Sequence, residues 1–96
     1  MNSSEIITLE LTGGYVLTID EEARAAYLEC KEFQGEVFTH PHDTGFNVDF
    51  DKKANLVGIE VLNFNADVPP ELFSLVDSPL YKAITEMNSI LKAKNI

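Results

Sequence analysis

The side chains of this 96-residue chain that are best suited to chemistry lie together in the segment THPHDTG, residues 39–45. On a β-strand His40 and His42 would point to the same side, and Asp43 follows them directly. Imidazoles, carboxylates and thiolates are ligands of Zn²⁺, so a metal site built on His40 and His42 is one hypothesis, with Asp43, Asp49 or Cys30 as the third ligand. Pro41 and the composition of PHDTG favour instead a strand that ends there and a solvated turn capped by Asp43. We therefore predict a surface loop, with no metal, no cofactor and no catalytic residue.

Short strands with alternating apolar residues are predicted on both sides of this segment. Gly13 and Gly14 separate the first two strands and predict a two-residue hairpin turn, because both central positions of such a turn favour positive φ. All connections are short, which favours antiparallel pairing of the strands. The predicted strands are residues 7–11, 15–20, 25–30, 36–40, 46–51 and 56–63. Within them Asp49 and Asp51 are expected to keep the outer strand face hydrated, and Glu60 is expected to face away from the core.

The last third of the chain changes to a helical pattern. Ser78 is a predicted N-cap, and Pro79 suits the first helical position. A shorter helical pattern surrounds the paired prolines at 69–70. Five apolar residues recur at helical spacing and form one stripe: Leu80, Ala83, Ile84, Met87 and Leu91.

These patterns predict an α+β fold, in which an antiparallel β-meander of five to six strands carries one or two C-terminal helices packed on one face. We expect a single domain over residues 1–96, with the sheet part in 1–63 and the helical part in 67–94.

Charge is distributed unevenly along the chain. The net charge is −9, and residues 1–51 carry all of it, with 11 acidic and 2 basic residues. Binding to nucleic acid or to an anionic membrane requires Lys and Arg, so neither is expected. The acidic half indicates a basic protein partner instead. Apolar residues on the second sheet face indicate a partner surface: Ile6, Val16, Tyr27, Phe38, Leu56 and Leu62. A homodimer through that face or through an edge strand is a further hypothesis.

The cellular compartment is predicted from two features. Cys30 is the only cysteine, which excludes an intramolecular disulfide and fits a reducing compartment. No apolar run reaches the roughly 18 to 20 residues that span a bilayer. We predict a cytoplasmic protein.

Two blocks of the chain, IDEEARAAYLE and FNVDFDKKANLVGIEVLN, resemble the prokaryotic domain of unknown function 2283 family over roughly residues 19–63. Members read Y-D-x-E-A-D-A-L-Y-I and then V-x-V-D-x-D-x-x-G-x-I-V-G-I-E-I-L. The second block matches closely, whereas Arg24 and Ala26 stand where the family has Asp and Leu, and Ala54 stands at a glycine position. The resemblance implies a small β-rich fold, a bacterial source and no catalytic residue. Some members resemble partners of small toxin-like proteins, which implies a neutralising or regulatory role.

The functional prediction is a small non-enzymatic protein-interaction or regulatory module with an acidic N-terminal half. The alternative is a small-ligand or metal-dependent enzyme that uses His40, His42 and nearby acids.

Overall fold

A computed structural model describes residues 6–42, 45–64, 68 and 79–94. These residues form one six-stranded sheet and one C-terminal helix, as predicted for the α+β fold. The strands are β1 (Ile6–Leu11), β2 (Tyr15–Asp20), β3 (Ala25–Cys30), β4 (Phe38–His42), β5 (Phe46–Phe50) and β6 (Leu56–Val61), and the helix is α1 (Pro79–Lys94). The predicted N-cap Ser78 and most of the shorter helical pattern lie outside the described residues. No helix in the described part is long and apolar enough to cross a membrane.

The strands follow the order β1-β2-β3-β6-β5-β4, and every neighbouring pair is antiparallel. The sheet therefore consists of two three-stranded meanders, β1–β3 and β4–β6, which meet where β3 pairs with β6. A single continuous meander would have paired β3 with β4. Of the six described strands, β1 and β4 lie at the two edges of the sheet.

The first hairpin forms where the two glycines predict it, but its turn has three residues. Leu11 pairs with Tyr15, and Thr12 to Gly14 form the turn between them, with left-handed backbone at both glycines. Gly13 and Gly14 have φ angles of 78° and 85°, which residues with a Cβ rarely adopt.

The prediction that the fourth strand ends at Pro41 is wrong. Pro41 pairs with Asn47, and the strand continues to His42. The Leu62 N–H donates to the Gly45 carbonyl, so Gly45 and every second residue after it direct their backbone groups to β6. The residues between them direct theirs to β4 and bond to its residues 38, 40 and 42. By this alternation the backbone of Pro41 faces away from β5, at an edge where none of the described strands pairs. The missing N–H of proline therefore costs no hydrogen bond within the sheet.

The core lies between one sheet face and α1. The predicted apolar stripe of the helix is confirmed, because its five residues are the buried residues of α1. They pack with buried side chains of four strands: Leu17, Ile19, Ala26, Leu28, Phe46, Val48, Ile59 and Val61. Phe38 and Leu56, which were expected on the opposite face, pair with Phe50 and share its face.

The helix is attached to turns at both ends of β2. The Thr12 N–H and hydroxyl donate to the two carboxylate oxygens of Glu86 at 3.0 and 2.7 Å. Pro79 lies so close to Gly13 that a Cβ at this glycine would come within 2.1 Å of the proline Cβ. At the other end Lys94 forms an ion pair with Glu21 in the turn between β2 and β3. The helix therefore covers one face and leaves the other without a helix among the described residues.

Candidate functional site

The candidate site is the sheet face opposite α1, which we call the open face. Register and alternation place a set of described strand residues there: Ile6, Thr8, Glu10, Val16, Thr18, Asp20, Ala25, Tyr27, Glu29, Thr39, Pro41, Asn47, Asp49, Gly58 and Glu60. Five of these residues are acidic and none is basic.

A hydrogen-bonded network of three side chains crosses the open face at the junction of the two meanders. The Tyr27 hydroxyl of β3 donates to Asp49 Oδ2 of β5 at 2.5 Å. The Thr39 hydroxyl of β4 donates to Asp49 Oδ1 at 2.6 Å. Asp49 is only 6% exposed, so these two hydroxyls replace the water that its carboxylate loses on folding. The expectation that Asp49 keeps an outer strand face hydrated is therefore wrong.

Gly58 makes room for the Tyr27 side chain. Tyr27 is on β3 and Asp49 is on β5, so the phenol must cross β6, which lies between them. It crosses at Gly58, where an added Cβ would be 2.2 Å from the Tyr27 hydroxyl oxygen and 2.8 Å from its Cζ. A glycine at position 58 is thus required for the contact between Tyr27 and Asp49.

The network of two hydroxyls and one carboxylate is suited to a structural role. Burial, the hydrogen bond to Asp49 and the charges of Asp49, Glu29 and Glu60 raise the pKa of the Tyr27 hydroxyl well above its usual range. Tyr27 therefore stays protonated and acts as a donor. Asp49 accepts one hydroxyl on each oxygen, which leaves it badly placed to act as a nucleophile or a general base.

Exposed carboxylates lie next to this hydrogen-bonded network. Glu60 is directly opposite Tyr27 and Glu29 is directly opposite Gly58, so the two glutamates are diagonal neighbours about 7–8 Å apart. Both side chains are exposed, and the amide of Asn47 donates to Glu60 at 3.1 Å. The exposure of Glu60 agrees with the prediction that position 60 faces away from the core.

A third exposed carboxylate, that of Glu10 on β1, forms an ion pair with Lys31 at 2.9 Å. Both side chains of this pair are more than half exposed, so it adds little stability. It does bring one ammonium group to the border of the acidic surface.

The histidine segment lies at the far edge of the sheet. His40 is exposed and contacts the ring of Phe50 edge-on, with the centroids 5.3 Å apart. The side chain of His42 and the whole of Asp43 lie outside the described residues. Within the described ranges no three His, Cys, Asp or Glu side chains come together as metal ligands.

The pairing of Pro41 and His42 in β4 shows that the predicted loop is wrong for these two residues. The turn capped by Asp43 and the metal hypothesis stay predictions. Stoichiometric zinc in protein purified without a histidine tag, lost in the His40→Ala/His42→Ala variant, would support the metal hypothesis.

Sequence reasoning missed the roles of Tyr27, Thr39 and Gly58. Each looked like ordinary strand composition, since the contact depends on the order of β3, β6 and β5. One signal was available: a glycine inside an otherwise apolar strand indicates the close approach of another group.

Two backbone positions bear on the family resemblance. Ala54 has φ of 68° in the turn between β5 and β6, which is the left-handed region that a glycine adopts without strain. Asp51 holds this turn, because its carboxylate accepts the N–H groups of Lys53 and Asn55 at 2.8 and 2.9 Å. Arg24 also has positive φ, 57°, and its guanidinium lies 4.9 Å from the centroid of the Phe64 ring.

The chain matches the family model described as Protein of unknown function (DUF2283) over residues 17–65, slightly more than half of its length. The chain belongs to this family. The DUF2283 match covers most of β2 and all of β3 to β6, and it leaves β1 and α1 outside, in agreement with the resemblance seen in the sequence. Tyr27, Asp49 and Gly58 all lie within it. No curated protein and no solved structure matches the chain.

Proposed function

We propose that this DUF2283 protein is a non-enzymatic interaction or regulatory module that binds a basic protein partner through its open face. The observation that carries the proposal is the charge of that face, where the described strand residues include five acids and no base. Three of the acids, Glu10, Glu29 and Glu60, are exposed.

The centre of the face offers a specific contact for a cationic side chain. Glu29 and Glu60 lie on either side of the position where Tyr27 crosses β6. A lysine or arginine of the partner could bind both carboxylates in charge-assisted hydrogen bonds while its aliphatic stem packs on the phenol ring. Because Asp49 holds the Tyr27 hydroxyl, the ring is already in position, which reduces the entropy lost on binding.

The same charges disfavour the open face as a homodimer interface. Two copies that met face to face would bring exposed glutamates together without compensating cations on the described strands, and like charges across an interface weaken association. A basic partner is therefore the better match.

The experiment is capture from a lysate of the native host at low salt, with three baits compared. The baits are the wild type, Glu29→Gln/Glu60→Gln, and a control, Glu22→Gln/Glu36→Gln. The control removes the same charge from exposed residues outside the open face. A basic protein captured by the wild type and the control, lost with the first variant and released by salt, would support the proposal, because exposed charges are screened over about 10 Å at 0.1 M salt.

Two results would contradict the proposal. One is equal capture of the same protein by both variants, which would place the contact elsewhere. The other is an empty capture from cells that express the protein.

A further inference from the structure

The free edge of β1 differs from the opposite edge of the sheet. β1 (Ile6–Leu11) pairs with β2 over its whole length and has no strand on its other side among the described residues. Natural edge strands are usually protected from pairing by proline, bulges or several charges. β4 has Pro41 with its backbone directed outward, whereas β1 has no proline or bulge and only one charged residue, Glu10.

The hydrogen bonds of β2 show which backbone groups of β1 face outward. The Lys31 N–H donates to the Gly14 carbonyl at 2.8 Å, so Gly14 and every second residue after it direct their backbone groups to β3. The residues between them, Tyr15, Leu17 and Ile19, direct theirs to β1, opposite Leu11, Leu9 and Ile7. The remaining residues of β1 therefore direct their N–H and C=O groups to the free edge: Ile6, Thr8 and Glu10.

The side chains of β1 define which strand could pair with this edge. Ile7, Leu9 and Leu11 are half-buried on the helix side, whereas Ile6, Thr8 and Glu10 are exposed on the open face. An added strand must present apolar residues to the first side and polar residues to the second. β1 of a second copy satisfies this requirement, because antiparallel pairing across a two-fold axis keeps equivalent faces together.

We propose that β1 is a homodimer edge, with two copies of the strand paired antiparallel about a two-fold axis at Thr8. This register places Ile6 of each copy opposite Glu10 of the other, so all three outward residues exchange both backbone hydrogen bonds. It also places Ile7 opposite Leu9 and extends the apolar face of the sheet. The two Glu10 residues lie about 14 Å apart along the strands. A register centred on Leu9 would instead bring them diagonally next to each other.

This inference does not rest on the proposed function, because it uses the edge of the sheet and leaves Glu29 and Glu60 exposed. A dimer of this kind would join the two open faces into one continuous acidic surface. Failure of dimerisation and failure to bind a basic partner are therefore separate results.

Cysteine trapping tests the register. Thr8→Cys and Glu10→Cys are each made with Cys30→Ser, which removes the native thiol. In the proposed register the two Thr8 Cα atoms are about 5.5 Å apart, within the range that a disulfide bridges, whereas those of Glu10 are too distant. We expect Thr8→Cys to form a covalent dimer under mild oxidation at least tenfold faster than Glu10→Cys. Equal rates, or no dimer from Thr8→Cys, would overturn the register.

Sedimentation equilibrium tests whether the chain dimerises through β1. The wild type is expected to approach twice the chain mass of 10.7 kDa at high protein concentration. Thr8→Lys places two ammonium groups directly opposite each other at the axis and should weaken dimerisation at least tenfold. Thr8→Val, the matched control at the same exposed position, should not. A monomeric wild type at the highest soluble concentration, or equal dimerisation of both variants, would overturn the proposal.

Discussion

The contact between Tyr27 and Gly58 predicts that Gly58→Ala destabilises the wild-type protein but stabilises a variant that lacks the Tyr27 ring. In the wild type Gly58→Ala places a Cβ 2.2 Å from the Tyr27 hydroxyl oxygen, so the ring must move away from Asp49. Asp49 is 6% exposed and would keep one hydroxyl instead of two, a loss of about 1–3 kcal/mol. Alanine is better than glycine within a strand by roughly 0.5–1 kcal/mol, which offsets part of this loss. We expect a net destabilisation of about 1–2 kcal/mol.

In a Tyr27→Ala background the obstructing ring is absent. Gly58→Ala should then keep only the gain of roughly 0.5–1 kcal/mol, so the pair couples by about 1.5–3 kcal/mol. Urea unfolding of the four proteins, followed by far-UV circular dichroism, measures both free energies, and equal m-values would show that the unfolded states are comparable. Destabilisation by Gly58→Ala of the same size in both backgrounds would refute the role assigned to Gly58.

Three further predictions concern local backbone strain and pH. Ala54→Gly should raise the free energy of unfolding by about 0.5–1 kcal/mol in urea, since relief of left-handed strain exceeds the entropy cost of glycine; a loss of stability would contradict this. Gly13→Ala should lower the thermal midpoint further than Gly14→Ala, because both have positive φ but only Gly13 would meet Pro79; equal midpoints would count against the packing of α1 on this turn. The pKa of the Tyr27 hydroxyl is raised on folding, so its contribution to stability is complete below its unfolded pKa of about 10 and is lost as pH rises through the higher folded value. Urea midpoints should therefore fall more steeply above about pH 10 for the wild type than for Tyr27→Phe, and parallel profiles would be the contrary result.

The parts of the fold that could be predicted are those defined by local pattern. The stripe from Leu80 to Leu91 repeats at helical spacing, and α1 buries those five side chains. The strands could be found from alternation, and the first hairpin from Gly13 and Gly14. The prediction that the fourth strand ends at Pro41 failed for a local reason. Proline prevents pairing only on the side to which its N–H would have pointed. A strand at a sheet edge can contain it.

The candidate site could not be predicted in the same way, because its contacts depend on the strand order. Asp49 alternates with buried neighbours and looks like an outward polar residue. It is buried because Tyr27 of β3 and Thr39 of β4 reach it from opposite sides. That arrangement requires β3 to pair with β6 and not with β4, and no local pattern distinguishes these two pairings. The acidic character of the open face, by contrast, is already visible in the composition of residues 1–51.

The junction of the two meanders has a consequence for how the chain reaches its native state. Each meander contains contacts close in sequence, whereas β3 and β6 bring together residues roughly 30 positions apart. Closing such a loop costs more entropy than forming a hairpin, so the two meanders are expected to collapse first and to join later. Tyr27 and Asp49 come from different meanders, and their hydrogen bond can form only after this joining. The amide protons of the β3–β6 ladder should accordingly exchange with solvent only when the two halves of the sheet separate.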